Sequence, residues 1–187
     1  NSSIFQFLRE PADLFYGLGE KMFGLEHSGV STKFWNTDVW GDFPSAVYRE
    51  DRADPMYVSV PYLIIRRAST YLGLLLDNPC ASFVRTGGDV SIAGQMNAQE
   101  QPQKVLTLGA EHGQPNLVLI YGPSLAELTR KLQRLVGVTP LPPAWALGYH
   151  QCRWGYQSRA QLQELNDKML EHGIPCDGLW LDVEYMD

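Results

Sequence analysis

The sequence predicts a β-sandwich followed by a strand–helix–strand unit with parallel strands. Up to Tyr121, short runs of branched and aromatic residues alternate with turn residues, and after Gly122 the apolar spacing becomes helical. A strand-like segment then returns after 30 residues, from Gly148 to Gly178, which is the size of a βαβ unit.

In the first part, residues 57–65 and 71–76 are the most strand-like. Residues 81–84, 90–92, 105–108 and 116–121 follow, each bounded by Gly, Pro, Asn or Asp. Regularly spaced short strands of this kind form antiparallel sandwiches, so residues 1–121 are assigned to one. Ser124-Leu-Ala-Glu127 is a capping box, in which serine and glutamate each satisfy a free backbone N–H. Leu125, Leu128, Leu132 and Leu135 form one apolar stripe, and Gly137 closes the helix. Pro140, Pro142 and Pro143 forbid further helix, which makes 122–143 a helix and a stiff linker. The last part, 144–187, opens with a strand over 145–154. Ser158-Arg-Ala-Gln161 is a second capping box, starting a helix with Leu162, Leu165 and Met169 on one face. Glu164 and Lys168 pair on its exposed side. Gly173 and Pro175 end it, and residues 177–183 read as an apolar, buried strand. A full (β/α)8 barrel needs about 250 residues. Only 44 run from Ala144 to Asp187, so a barrel here would be incomplete in this chain.

Composition narrows the function. Fifteen basic against 21 acidic side chains leave a net charge of −6, the wrong sign for a nucleic-acid face. With 44% apolar and 19% charged residues the mixture is that of a soluble globular protein. No apolar run approaches the ~20 residues of a membrane span. Asn1-Ser2-Ser3-Ile4-Phe5 lacks the charged start and apolar stretch of a signal peptide. Cys80, Cys152 and Cys176 are odd in number and far apart, which suits neither a closed disulfide framework nor a zinc site. Cys152 and Cys176 fall in apolar strand-like runs and are expected to be buried, reduced thiols. That leans toward a reducing, cytoplasmic compartment without fixing one.

The segment Gly178-Leu-Trp-Leu-Asp-Val-Glu-Tyr-Met-Asp187 is the most informative. Strand alternation would put Trp180, Asp182 and Glu184 on one face. An acid at the end of a buried strand needs polar partners, and α/β folds bind ligands at the carboxyl ends of their strands. Asp182 is therefore a candidate for gripping a polar ligand beside an aromatic platform at Trp180; the alternative is a helix N-cap or an ion pair. The preceding strand ends in His150-Gln-Cys-Arg-Trp-Gly-Tyr156. Trp154 there can cover the CH face of a sugar, while His150 and Arg153 can bond a hydroxyl or pair with an acid. His150 suits a satisfied core position equally well. Lys33-Phe-Trp-Asn-Thr-Asp-Val-Trp-Gly-Asp42 mixes aromatic with amide, hydroxyl and acid groups, as a carbohydrate site or an aromatic-anchored turn does. Phosphate loops, a Gly-x-Ser-x-Gly elbow and a His-Glu-x-x-His motif are absent.

Four stretches together resemble glycoside hydrolase family 31, the α-glucosidase family. They are Phe15-Tyr-Gly-Leu-Gly-Glu20, Phe34-Trp-Asn-Thr-Asp38, Pro143-Ala-Trp-Ala-Leu-Gly-Tyr-His-Gln-Cys-Arg-Trp-Gly-Tyr156 and Leu179-Trp-Leu-Asp-Val-Glu-Tyr-Met-Asp187. The resemblance implies a galactose-mutarotase-like β-sandwich leading into the first βαβ unit of a (β/α)8 catalytic barrel. It implies a retaining exo-α-glucosidase acting on terminal, non-reducing α-linked glucose of oligosaccharides. By it, Asp182 would bind hydroxyls of the non-reducing sugar, Trp154 and Trp180 would line that pocket, and Asp38 would reach it from a sandwich loop. His150, Arg153 and Asp187 would be secondary contacts.

Retaining enzymes need two carboxyl groups about 5–5.5 Å apart across the scissile bond. In the family these are an Asp nucleophile and a separate Asp acid/base, in later motifs such as Trp-x-Asp-Met-Asn-Glu that do not occur here. No catalytic residue is assigned, and the 187 residues alone are expected to be inactive. The partners implied are the substrate and the remainder of the barrel, with neither nucleic acid nor membrane; no metal or organic cofactor is implied. Two alternatives stay open: a non-catalytic carbohydrate-binding or interaction module, and an α-xylosidase, transglycosylase or lyase of the same family.

Overall fold

A computed structural model of the chain describes residues 3–22, 24–39, 48–49, 52–87, 89–90, 103–114 and 116–185. They fall into two compact units, Asn1–Gly137 and Val138–Asp187. The first contains β1 (Ser3–Leu8), β2 (Leu14–Gly19), β3 (Ser31–Phe34), β4 (Tyr48–Arg49), β5 (Arg52–Ala53) and β6 (Ser59–Arg67). It continues with β7 (Thr70–Asp77), β8 (Ser82–Arg85), β9 (Asp89–Val90), β10 (Gln103–Ala110), β11 (Asn116–Gly122) and the helix α1 (Leu125–Val136). One sheet runs β1-β10-β8-β3, with β9 on β10; the other runs β11-β7-β6-β2. All of these pairs are antiparallel. Residues 91 and 92, expected to extend β9, lie outside the described residues.

Phe15, Leu63, Ile65 and Leu74 of the second sheet meet Phe34, Val84, Leu106 and Leu108 of the first in one buried core. The two sheets therefore form a sandwich. On the other face of the second sheet, Tyr62 and Ile120 pack with Leu128 of α1, flanked by Ile64, Leu75, Val118 and Leu132. Burial on both faces explains why β6 and β7 read as near-continuous apolar runs rather than as alternating ones.

The Tyr-Gly-Leu-Gly stretch is a bulge. Gly17 faces Leu63 while Gly19 faces Ser59, so the register slips between them. Gly17, Leu18 and Gly19 carry φ of +96°, +73° and +80°, a region that residues with a Cβ rarely adopt. The turn drives Leu18 into the core at 1% exposure, and that burial offsets its strain. Pro61, which has no N–H, falls where the slipped ladder needs none.

Helix α1 starts where the capping box places it, but only half of the box forms. Ser124 Oγ accepts from the Glu127 N–H at 3.2 Å, whereas the Glu127 carboxylate turns to Arg130 at 3.3 Å. Of the expected stripe, Leu128 is buried and Leu132 packs on the cluster, while Leu125 and Leu135, at the helix ends, stay exposed. The cysteines also depart from expectation. Cys152 is exposed and Cys176 half-buried, where both were expected to be buried.

Asp13 locks the turn between β1 and β2. Arg67 grips both of its carboxylate oxygens, at 2.8 and 2.6 Å, and the Glu10 N–H adds a third bond at 2.9 Å. Burial pushes the Asp13 carboxyl up; the bonds from Arg67 and Glu10 and the charges of Arg67 and Arg9 outweigh it and hold the group below its ordinary range. Such a group stabilises the fold above its unfolded value, near ~3.9, and the contribution is lost as pH falls through the lower folded value. Asp13→Asn should therefore cost about 1–3 kcal/mol at neutral pH. In urea titrations repeated downward in pH, the gap to the unmodified chain should close as the carboxyl protonates.

Candidate substrate-binding site

The second unit is built on β12 (His150–Cys152), α2 (Arg159–Glu171) and β13 (Gly178–Trp180), with β12 and β13 parallel and His150 opposite Gly178. The strands are shorter than expected. Residues 144–147 form a 3-10 turn, which Pro143 starts with φ −64° and Gly148 ends by donating its N–H to the Trp145 carbonyl. β13 likewise stops at Trp180, and Val183–Tyr185 is another 3-10 turn. Strand alternation therefore does not carry Asp182 onto the face of Trp180. Nor is this stretch buried: Trp180, Leu181 and Val183 are all exposed.

Helix α2 forms between the strands as its caps predict. Ser158 Oγ accepts from the Gln161 N–H at 3.2 Å, and Gln161 reaches back to the Gln157 N–H at 2.8 Å, one residue earlier than a standard box. Met169 is buried, Leu162 and Leu165 half-buried, and Lys168 pairs with Glu164 at 2.6 Å. At its end, Gly173 N–H bonds the Leu170 carbonyl and Ile174 N–H that of Met169, a Schellman closure.

His150 organises the strand pair. Its Nδ1 accepts the Trp180 indole N–H at 2.8 Å, so its Nε2 carries the proton and donates to the Trp145 carbonyl at 3.0 Å. The Trp145 and Trp180 rings flank the imidazole, each with centroids 5.8 Å away. The ring lies against the backbone of Gly178, where a Cβ would sit 2.5 Å from Nδ1. Asp182 Oδ1 accepts the Val183 N–H at 2.8 Å, and its carbonyl accepts that of Tyr185, so the residue caps the 3-10 turn. Its Oδ2 makes no hydrogen bond among the described residues. Trp154 is exposed in the turn beyond β12. Arg153 leans over the Tyr156 ring, 6.0 Å away, in a groove it shares with Gln161, Glu164 and Lys168 of α2. Asp187 lies outside the described residues, as does the side chain of Glu184.

Asp38 belongs to the first unit, on the segment that follows β3. Its Oδ1 accepts the Tyr57 hydroxyl at 2.9 Å. Thr37 N–H bonds the Met56 carbonyl at 2.9 Å, and Asn36 Oδ1 accepts the Ser59 N–H at 3.1 Å, so residues 36–38 are tied to 56–59 bond by bond. Glu20 ties in the bulge strand through Val58. The bond to Asp38 raises the Tyr57 phenol above its ordinary value, with partial burial and the Asp38 charge acting the same way; a bond from the Val39 backbone acts against them. Residues 40–42 of this motif lie outside the described residues.

Comparison with known proteins bears on these elements. Residues 1–84 match the glycosyl hydrolase 31 N-terminal galactose mutarotase-like domain, and residues 139–187 the glycosyl hydrolases family 31 TIM-barrel domain. The chain belongs to glycoside hydrolase family 31. Its sandwich and βαβ unit are thus the family's N-terminal domain and the start of its barrel domain. Alpha-glucosidase 2 of Bacillus thermoamyloliquefaciens is 32% identical over 96% of this chain and 20% of its own length. Human neutral alpha-glucosidase AB is 32% identical over 92% of this chain and 19% of its own. Among solved structures, a Flavobacterium johnsoniae family 31 dextranase complexed with glucose matches at TM-score 0.77 and 26% identity, over 99% of this chain and 20% of that one. A family 31 alpha-glucosidase from Bacteroides thetaiotaomicron matches at 0.73 and 28%, over 99% and 28%. The chain spans about a fifth of the length of the curated relatives it matches.

Sequence reading missed the supporting residues. Trp145, Gly178 and Tyr57 each sit beside a candidate residue, and only the recurring Gly148/Gly178 spacing hinted at one of them. Two outcomes test their roles. Gly178→Ala should displace the imidazole, costing about 1–3 kcal/mol by overpacking, and should shift the Trp180 indole N–H resonance. Asp38→Asn should return the Tyr57 ionisation toward its ordinary value near ~10, read as phenolate absorbance against pH with Tyr57→Phe to assign the signal.

Proposed function

We propose that this chain is the N-terminal part of a retaining, exo-acting α-glucosidase that releases terminal, non-reducing α-linked glucose from oligosaccharides. The observation that carries the proposal is the parallel β12–β13 pair, whose carboxyl end presents the His150-held Trp180 and then Asp182 with one oxygen open. The names of the curated relatives support the same reaction.

In this reading the open oxygen of Asp182 accepts hydroxyls of the terminal sugar. Trp180 and Trp154 offer ring faces to its CH surface, and Asp38, held by Tyr57, is a further hydroxyl acceptor. His150 orients Trp180, while Arg153 and Asp187 are secondary contacts. The residues here supply binding and not bond cleavage. The nucleophile that forms the glycosyl-enzyme and the acid that protonates the leaving oxygen belong to the remainder of the barrel, which is the chain's partner along with the oligosaccharide. Carboxylates alone suffice for this chemistry, so no cofactor enters. Among the described residues no helix is long and apolar enough to cross a membrane.

The test uses nitrophenyl α-glucoside. The 187-residue chain alone should release no nitrophenol, and release would defeat the assignment of both carboxylates elsewhere. In the enzyme carrying the complete barrel, Asp182→Asn should lower kcat/KM by about 10- to 150-fold, the loss of one charge-assisted hydrogen bond. An unchanged value would remove Asp182 from the site.

A further inference from the structure

A cleft of about 390 Å³ opens in the first unit, between the end of β3, the start of β6 and the turn before β8. Trp35 forms one wall and is 55% exposed. Pro61 and Pro79 add apolar surface, and Asn36, Ser59 and Asn78 add polar groups. Among the described residues, no Asp, Glu, Lys, Arg or His lines it.

The polar groups divide into those that shape the cleft and those that remain open. Asn78 is spent on the fold: its Oδ1 accepts the Cys80 N–H at 2.8 Å and its Nδ2 donates to the His112 carbonyl at 3.2 Å. Asn36 is half-spent, because the Ser59 N–H fixes its Oδ1 and so directs its NH₂ elsewhere. That NH₂, the Ser59 hydroxyl and the Trp35 indole N–H have no hydrogen-bond partner among the described residues. The bulge strand and the buried Lys21–Asp54 pair beneath β3 hold the segment rigidly, so the groups are presented in a fixed geometry.

We propose that this cleft is a binding subsite for a neutral pyranose unit of an oligosaccharide. An exposed indole matches the CH face of a sugar, an amide and a hydroxyl match its OH groups, and the uncharged lining disfavours an ionised ligand. The volume accommodates one or two sugar units. The choice of a sugar as ligand rests on the glycosidase reading above; the location does not.

The experiment is a titration of the 187-residue chain with maltose, isomaltose and glucuronate, followed by resonances of the Trp35 indole, the Asn36 side-chain amide, and Trp154 and Trp180. Saturable shifts at Trp35 and Asn36 with a neutral disaccharide are expected. Affinity should fall at least tenfold in Trp35→Ala, and partly in the milder Asn36→Ser should the first variant fold poorly. Glucuronate should bind at least tenfold more weakly. No saturable shift at Trp35 and Asn36, or equal binding of glucuronate, overturns the subsite. Shifts confined to Trp154 and Trp180 overturn it as well while leaving the barrel-end reading intact. Shifts at Trp35 with none at Trp180 support the subsite and count against that reading.

Discussion

The first unit turns on one ion pair buried under β3. Lys21 Nζ meets Asp54 Oδ1 at 2.8 Å, with the lysine side chain 2% exposed. Placing an ammonium there costs several kcal/mol of desolvation unless every donor is used. It is nearly so: Lys21 also donates to the Lys33 carbonyl at 3.0 Å and lies 5.3 Å from the Phe34 ring centroid, while Asp54 accepts from Thr32 Oγ1 at 2.8 Å. Three segments far apart in sequence are fastened at one point: the run that follows the β2 bulge, the strand β3, and the run leading into β6. The segment holding Trp35, Asn36 and Asp38 begins one residue beyond Phe34, and its exposed side chains hold their geometry because the strand beneath cannot slide. Losing either partner would strand a buried charge, a penalty of about 3–5 kcal/mol. A Met–Leu pair of similar volume would pack there yet supply no bond to Lys33 or Thr32.

What was legible in the sequence follows the range of the interactions involved. The helix starts at Ser124 and Ser158, the Glu164–Lys168 pair and the stop at Gly173 depend on groups at most five residues apart, and each was readable. The family motifs were equally plain as patterns. Their physical reasons were not: the Tyr-Gly-Leu-Gly stretch gives no sign on its own that it is a bulge burying Leu18, because the partner it slips against lies some forty residues on. Lys21–Asp54, Tyr57–Asp38 and Trp180–His150 are separated by 33, 19 and 30 residues, and no periodicity marks them. Strand length around the candidate site was misread for a local reason. Apolar composition cannot separate a strand from a proline-led 3-10 turn, and Pro143 decides for the turn at 144–147.

The acids sort into two groups that sequence alone cannot separate. Asp13 and Asp54 are nearly buried, and each is answered by a cation, Arg67 or Lys21, so their charge is consumed in holding the sandwich together. Asp182 is exposed, and the described residues offer it only the Val183 amide. That amide fixes the carboxylate at the start of a turn without neutralising it. A structural acid needs its charge cancelled, since an unpaired carboxylate in the interior would protonate or unfold its surroundings. An acid meant for a neutral polyol needs the opposite: orientation by a weak neighbour, an uncancelled charge to strengthen each hydroxyl bond, and an oxygen left open. The proposed binding role for Asp182 is therefore compatible with its capping role, because the cap occupies one oxygen and leaves the other without a hydrogen bond among the described residues.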